Sequence, residues 1–289
     1  MRYRIPSTLA VMDFDELAKA YGGVLATHQL LACGHSAEAI RQAKLDGMLT
    51  PLRHGWYSVR DADPEVVAAV RDRGVVTCAS ALRRCGLWVP DHSKELHNRV
   101  TRHERRQSHD RCRRYGRPSP ALVAVDDVLT SLQYCARCFD EEGFIILCDS
   151  ALNLGKVTTE ELEHAFRLAP DRIRRSIGKC DEGAASGTET AGRLRLKSKG
   201  VKVQVQHEVP GVGHVDLLVG DRLAIEFDSK AHHTGEENYE ADRTRDRKLV
   251  ARGYIPMRVT YNQVFLRWNS TYADIQAALR NGYHRKRSA

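Results

Sequence analysis

The sequence predicts an α+β multidomain protein: a small helical domain with a two-stranded wing, a mixed α/β middle, and a C-terminal α/β sandwich with a mixed sheet. Three observations carry this expectation. Three short helix-like stretches precede a basic hairpin between Asp13 and Arg60. Helical and irregular stretches alternate from Pro64 to Cys180. After Asp181 the apolar pattern reads helix, three strands, helix, strand. The expected domains are 1–62, 63–180 and 181–289, a division in keeping with a chain of 289 residues.

In the first domain, Phe14, Leu17 and Ala18 have helical spacing, and Gly22-Gly23 break the helix. ATHQLLACG starts a second helix with Thr27 as the expected N-cap, and Ser36 caps AEAIRQAKLDG, a third that ends at Gly47. MLTPLRHGWYSVR then alternates like a hairpin with Arg53-His54-Gly55 at its tip. This is a winged helix-turn-helix layout. The helix from Ala37 to Asp46 would enter the major groove of double-stranded DNA with Arg41, Gln42 and Lys44, while Arg53 and His54 meet phosphates. The same segment also suits a helical domain that packs on a protein partner.

The middle domain carries four helix-like stretches, PEVVAAVRDRG, ASALRRCGL, VDDVLTSLQYCARCF and TTEELEHAFRLA. Between them, residues 99–117 hold eight arginines against Glu104 and Asp110. Arg102, Arg105, Arg106, Arg113 and Arg114, interleaved with His103, His109 and Tyr115, suit a strand or loop laid along a phosphate backbone; a solvated loop is the plainer alternative. A formal charge of +8 and a pI near 9.1 also favour polyanion partners.

No apolar run approaches the roughly 20 residues that cross a bilayer, and the N-terminus lacks a secretory pattern, so a cytoplasmic protein is expected. The eight cysteines are then expected as reduced thiols. Cys135-Ala-Arg-Cys138 has zinc-type spacing without an obvious second half, and its apolar helical setting favours a buried structural pair.

The third domain opens with SGTETAGRLRLKSKG, a helix capped by Ser186 or Thr188 and ended by Gly200. VKVQVQHEV, HVDLLVG and RLAIEFDSK read as strands, NYEADRTRDRKLVARG as a long helix, IPMRVTYNQV as a fourth strand and YADIQAALRNG as a terminal helix. Strand alternation sends Glu226, Asp228 and Lys230 to one face, and the turn at Gly220 makes the Asp216 strand an antiparallel neighbour. Asp216 and Glu226 then meet at one sheet end. Clustered carboxylates repel and lose hydration, so they call for a cation, and a hard ion such as Mg²⁺ or Mn²⁺ suits all-oxygen ligands. Lys230, on the same face, would polarise a water or stabilise developing charge.

Asp216, nine intervening residues and Glu226-x-Asp228 resemble the PD-(D/E)xK nuclease core, and 187–264 resembles its branch related to very-short-patch-repair endonucleases. The similar elements are Glu189 on a helix, Val215-Asp216, Ile225-Glu226-Phe227-Asp228 with His232, and Asp242, Arg245, Asp246 and Leu249 on a helix. Gly253-Tyr254 with Arg258 completes the series. The resemblance implies a restriction-endonuclease-like domain in which Asp216 and Glu226 (with Asp228) hold Mg²⁺ or Mn²⁺. In it Glu189 orients water or metal, and Asp228 and His232 are catalytic or supporting. Two departures stand out. Ser229 replaces the family's glycine, and the superfamily lysine falls at Asp228, which leaves its function open between Lys230 and His232. Residues 22–59 resemble the winged-helix domain of AbiEi-type antitoxins, which implies DNA binding and a possible cognate toxin partner. Two functions are therefore expected to compete: a metal-dependent DNA endonuclease, and a non-catalytic DNA-binding regulator on a degenerate nuclease fold. RNA is a further candidate substrate.

Overall fold

The structure, a computed structural model, describes residues 13–90, 95–100, 111–228 and 236–286, with the backbone alone at 236–239. Two compact units emerge: Met1–Phe144 with Leu154–Gly178, and Ile145–Asn153 with Lys179–Ala289.

The first unit opens with α1 (Phe14–Lys19), β1 (Val24–Ala26), α2 (Thr27–Ala32), α3 (Ala37–Leu45), β2 (Thr50–Arg53) and β3 (Trp56–Ser58). β3 lies between β1 and β2 and is antiparallel to both, so the expected hairpin gains a third strand. Ser36 caps α3 as its side-chain oxygen accepts from the Ala39 amide at 3.0 Å. Thr27, expected as the cap of α2, is instead its first residue. The Gln29 side chain accepts from the Ala26 amide at 2.9 Å, and the Thr27 hydroxyl donates to the Gly55 carbonyl at 3.2 Å. Leu17, Leu25, Leu30, Ile40 and Leu49 form the core under these helices.

The chain continues through α4 (Pro64–Arg71), β4 (Gly74–Val76), α5 (Cys78–Arg84), β5 (Asn98–Val100), α6 (Val128–Cys138), α7 (Glu141–Asn153), α8 (Thr159–Phe166) and α9 (Asp171–Ile177). β4 and β5 pair antiparallel. Val24, Ala26 and Trp56 share one apolar cluster with Val66, Val70, Val75 and Val125, so packing runs across residue 62, where a domain boundary is expected.

Two expectations in this region need correction. Arg99, the first arginine of the basic strip, is buried and structural: its guanidinium donates to Asp126 at 2.6 and 2.7 Å and to the Ser119 carbonyl at 2.7 Å. A buried, doubly bonded guanidinium has no donor face left for a phosphate. Nor are Cys135 and Cys138 a buried pair. Cys135 is buried and lies 3.3 Å from Cys78, whereas Cys138, at the last turn of α6, is exposed.

The second unit holds α10 (Gly187–Ser198), β6 (Val203–Val209), β7 (Gly213–Val219), β8 (Leu223–Asp228), α11 (Glu236–Ala251), β9 (Ile255–Thr260), α12 (Tyr261–Phe265) and α13 (Trp268–Arg280). The sheet runs β6-β7-β8-β9 with β8 and β9 parallel and the other neighbours antiparallel, the mixed sheet expected from the sequence. β9 stops at Thr260 because Thr260 and Gln263 cap each other's backbone amides, which turns Tyr261–Phe265 into a helix instead of a longer strand. Gly192 lets α10 lie close to β8: a Cβ there would stand 2.2 Å from the tip of the Phe227 ring. Asp149 receives the Arg193 guanidinium at 2.6 Å and the Thr190 hydroxyl at 2.8 Å, which ties α10 to the C-terminal part of α7. Among the described residues no helix is long and apolar enough to cross a membrane.

Candidate functional site

The carboxylates of the second unit gather where the β7–β8 ladder ends. Its last registered pair at that end is Leu217 with Ile225, one step short of Asp216 and Glu226. There the strands part, and a side chain replaces a backbone acceptor: Asp216 Oδ2 accepts from the Phe227 amide at 2.7 Å. Asp216 thus sits opposite Glu226, as the antiparallel pairing implies.

Glu189 reaches the same place from the first turn of α10, where Ser186 caps the helix by accepting from the Glu189 amide at 3.2 Å. The Glu189 Oε2 atom accepts from the Ala185 amide at 3.0 Å and from Gln206 Nε2 at 3.1 Å. Gln206 also reaches Asp216 Oδ1 at 3.4 Å, so one amide bridges two carboxylates. It does so from a left-handed backbone at φ 49, inside β6. A non-glycine residue held there costs free energy, on the order of 1–3 kcal/mol, and such outliers gather at functional sites.

Burial and neighbouring carboxylates dominate the electrostatics of the group. Burial, then the neighbouring Asp216, push Glu189 up to about 7 from an ordinary 4.5, and the same two causes push Glu226 up to about 7. Burial also raises Asp216, against the Phe227 amide and Arg245, which lower it. Two guanidinium groups answer part of this charge. Arg245 on α11 donates to Glu226 Oε1 at 3.0 and 3.3 Å and to the carbonyls of Val212 and His214. Arg258 on β9 meets Asp228 at 2.8 Å and Asp242 and Asp246 at 3.2 Å. Among the described residues neither Glu189 nor Asp216 has an ion-pair partner.

Asp242, Arg245 and Asp246 on α11 thus pair with Glu226 of β8 and Arg258 of β9. Asp228 is drawn to Arg258. Among the described residues, these carboxylates do not converge three oxygens closely enough to enclose an ion. Such a cage is more than Mg²⁺ needs, since it keeps several waters and binds through one or two carboxylates plus substrate phosphates. Asp216 Oδ1 and Glu226 Oε2 are the atoms left for that role: the first has a single long contact, and no described residue donates to the second. Their hard, under-neutralised oxygens fit Mg²⁺ or Mn²⁺, with Asp228 set aside. Lys230 and His232 lie outside the described residues.

The residues expected to bind nucleic acid are more scattered. Arg41, Gln42 and Lys44 are exposed on α3, where Arg41 pairs with Glu38 at 2.5 Å, Gln42 donates to Asp46 at 2.9 Å, and Lys44 stands 5.9 Å above the Tyr57 ring. Arg53 packs over Trp56 at 4.9 Å, and His54 is exposed. Arg113 is exposed, Arg114 donates to the Ser119 hydroxyl at 2.7 Å, and Arg102, Arg105 and Arg106 lie outside the described residues. Gln206 is the functional candidate that the sequence reading missed. Strand alternation marks it only as one polar position among several, and its left-handed backbone has no sequence signal.

The sequence matches no protein-family model, and no curated protein matches it significantly.

Proposed function

We propose that the chain binds double-stranded DNA through its first unit and hydrolyses a phosphodiester bond in its second, with Mg²⁺ or Mn²⁺ held by Asp216 and Glu226. One observation carries this reading. Glu189 and Glu226 are buried and Asp216 is half-buried beside them, on three separate elements, and burial followed by the neighbouring carboxylates raises the proton affinity of all three. A structural ion-pair network neutralises itself; among the described residues these three carboxylates share a single ion pair, from Arg245 to Glu226. The ion, when bound, would polarise the phosphate and lower the pKa of a bound water.

The chain's own groups supply the rest. Glu189, held near pH 7, can take a proton from water or return one to a leaving oxygen at physiological pH. Gln206 fixes Glu189 relative to Asp216, and Arg245 holds Glu226 by one oxygen while leaving the other. Arg41, Gln42 and Lys44 on α3, the hairpin residues Arg53 and His54, and Arg113 would dock the duplex. The test is plasmid nicking by the purified protein with Mg²⁺ or Mn²⁺. Nicking that Asp216→Ala and Glu226→Ala abolish supports the reading; absent nicking, or nicking that both variants keep, sinks it.

A specific observation favours a second reading. The pairs of Arg245 with Glu226 and of Arg258 with Asp228 already neutralise part of the cluster, as they would in a degenerate site kept for its fold. The chain would then be a DNA-binding regulator of the AbiEi antitoxin kind, with a toxin or other protein as partner. In that case nicking is absent, Arg41→Ala and Lys44→Ala abolish sequence-specific DNA binding, and Asp216→Ala leaves it intact. Competition with RNA decides which nucleic acid is preferred.

A further inference from the structure

A second group of chemistry-bearing side chains lies in the first unit, apart from the acidic site and unused by the proposed reaction. Cys78, His97, Cys112 and Cys138 each bring one ligand atom to a common point, all within 4.8 Å of one another. The Cys112 sulfur lies 3.3 Å from His97 Nδ1 and also against the thiols of Cys78 and Cys138. In a tetrahedral zinc site with Zn–S near 2.3 Å, sulfur atoms stand about 3.8 Å apart, so four donors gathered within 4.8 Å of one another are close enough to close on one ion.

The backbone holds each corner independently. Cys78 opens α5 directly after β4, and the Thr77 amide donates to the His97 carbonyl at 3.0 Å, which sets His97 beside it at the start of β5. The Cys112 amide donates to the Asn98 carbonyl at 2.9 Å, so the chain returns to the same strand. Cys138 is the last residue of α6, the helix that packs on α5. Cys78 takes a left-handed backbone, φ 53, unusual for a residue with a side chain and tolerated where surrounding bonds fix it.

We propose that Cys78, His97, Cys112 and Cys138 form a structural zinc site of the Cys₃His type. Three soft thiolates and an imidazole in a closed tetrahedron select zinc over hard cations, and a full set of four protein ligands leaves no position for substrate. Binding forms three Zn–S bonds and one Zn–N bond, and the three thiol protons pass to solvent. Cys135 is not a ligand; its thiol donates to the Cys78 sulfur at 3.3 Å, the kind of outer hydrogen bond that steadies a thiolate ligand. His97 and Cys112 bracket residues 98–111, which carry five of the eight arginines of the arginine-rich stretch, so the metal fixes the chain on both sides of those five.

The test uses the full chain, purified without chelator and analysed for metals. One zinc per chain is expected, lost in Cys112→Ser and Cys138→Ser and kept in Cys85→Ser, Cys135→Ser and Cys180→Ser. Should the first two variants fail to fold, cobalt exchange into the unmodified chain decides. A sulfur-to-cobalt charge-transfer band with tetrahedral ligand-field bands supports the site. A pale octahedral spectrum, zinc far below one per chain, iron in its place, or zinc kept in the foldable Cys112→Ser and Cys138→Ser variants overturns it. Zinc lost in Cys135→Ser overturns the ligand assignment. None of these readouts depends on nuclease activity, so failure here is separable from failure of the proposed function.

Discussion

The oxygen-rich group of the second unit and the sulfur-rich group of the first pose the same physical problem and solve it differently. Each crowds groups of one kind: carboxylates in the second unit, thiols and an imidazole in the first. In the first unit four soft donors face one another, with Cys78, Cys112, Cys138 and His97 mutually adjacent. In the second, the oxygens are shared out among amides and guanidinium groups: Phe227 and Gln206 on Asp216, Arg245 on Glu226, Arg258 on Asp228. A closed set of ligands suits an ion that stays; a partly occupied, undercharged set suits one that arrives with substrate phosphate. What decides between them is where each donor's hydrogen bonds go, more than which residue types are present.

The largest effect expected from breaking this comparison is catalytic. Asp216→Ala should lower metal-dependent nicking by at least ~100-fold, the scale on which loss of one charge-stabilising group acts, while leaving zinc content unchanged. Plasmid conversion rates and metal analysis of the same preparation read both halves.

Next in size is a pH effect. Glu189 and Glu226 are raised to about 7 in the folded chain from an ordinary 4.5. The folded state therefore binds protons more tightly than the unfolded one, and that contribution is full below pH about 4.5. It is lost as pH rises toward 7, by up to about 3 kcal/mol at either carboxylate taken alone. Melting curves across this window should show the loss, Glu226→Gln should flatten it, and Mg²⁺ should restore stability above pH 7 but not below pH 5.

Packing comes third. Gly192→Ala drives a methyl group into the Phe227 ring and should cost about 1–3 kcal/mol by denaturant titration, because neither the helix nor the ring can give way freely. It should weaken the acidic site through Phe227, whose amide holds Asp216, and leave the sulfur group alone. The smallest effect concerns docking. Arg113→Ala should weaken DNA binding evenly across sequences and reduce the salt slope by about 1, as loss of one phosphate contact does.

The two regions also differ in how far the sequence revealed them. Asp216 and Glu226 were legible as antiparallel neighbours because strand alternation and the Gly220 turn fix that register locally. The pairing of Arg245 and Arg258 with β8 carboxylates was not, since it depends on how α11 and β9 return to the sheet. At the sulfur group, Cys135-x-x-Cys138 drew attention to the wrong partner. The real neighbours of Cys138 come from three other places in the chain, brought together by the β4–β5 pairing and by α5 against α6. The arginine strip misled in the same way: charge density marks Arg99 as a surface group, and only Asp126, distant in sequence, reveals it as buried.

Binding of Mn²⁺ to the full chain at pH about 8, followed by electron paramagnetic resonance, tests the central contrast directly. The expected result is Mn²⁺ binding that Asp216→Asn abolishes and Cys112→Ser leaves intact. Binding that survives Asp216→Asn, or that disappears with Cys112→Ser in a folded chain, would contradict it.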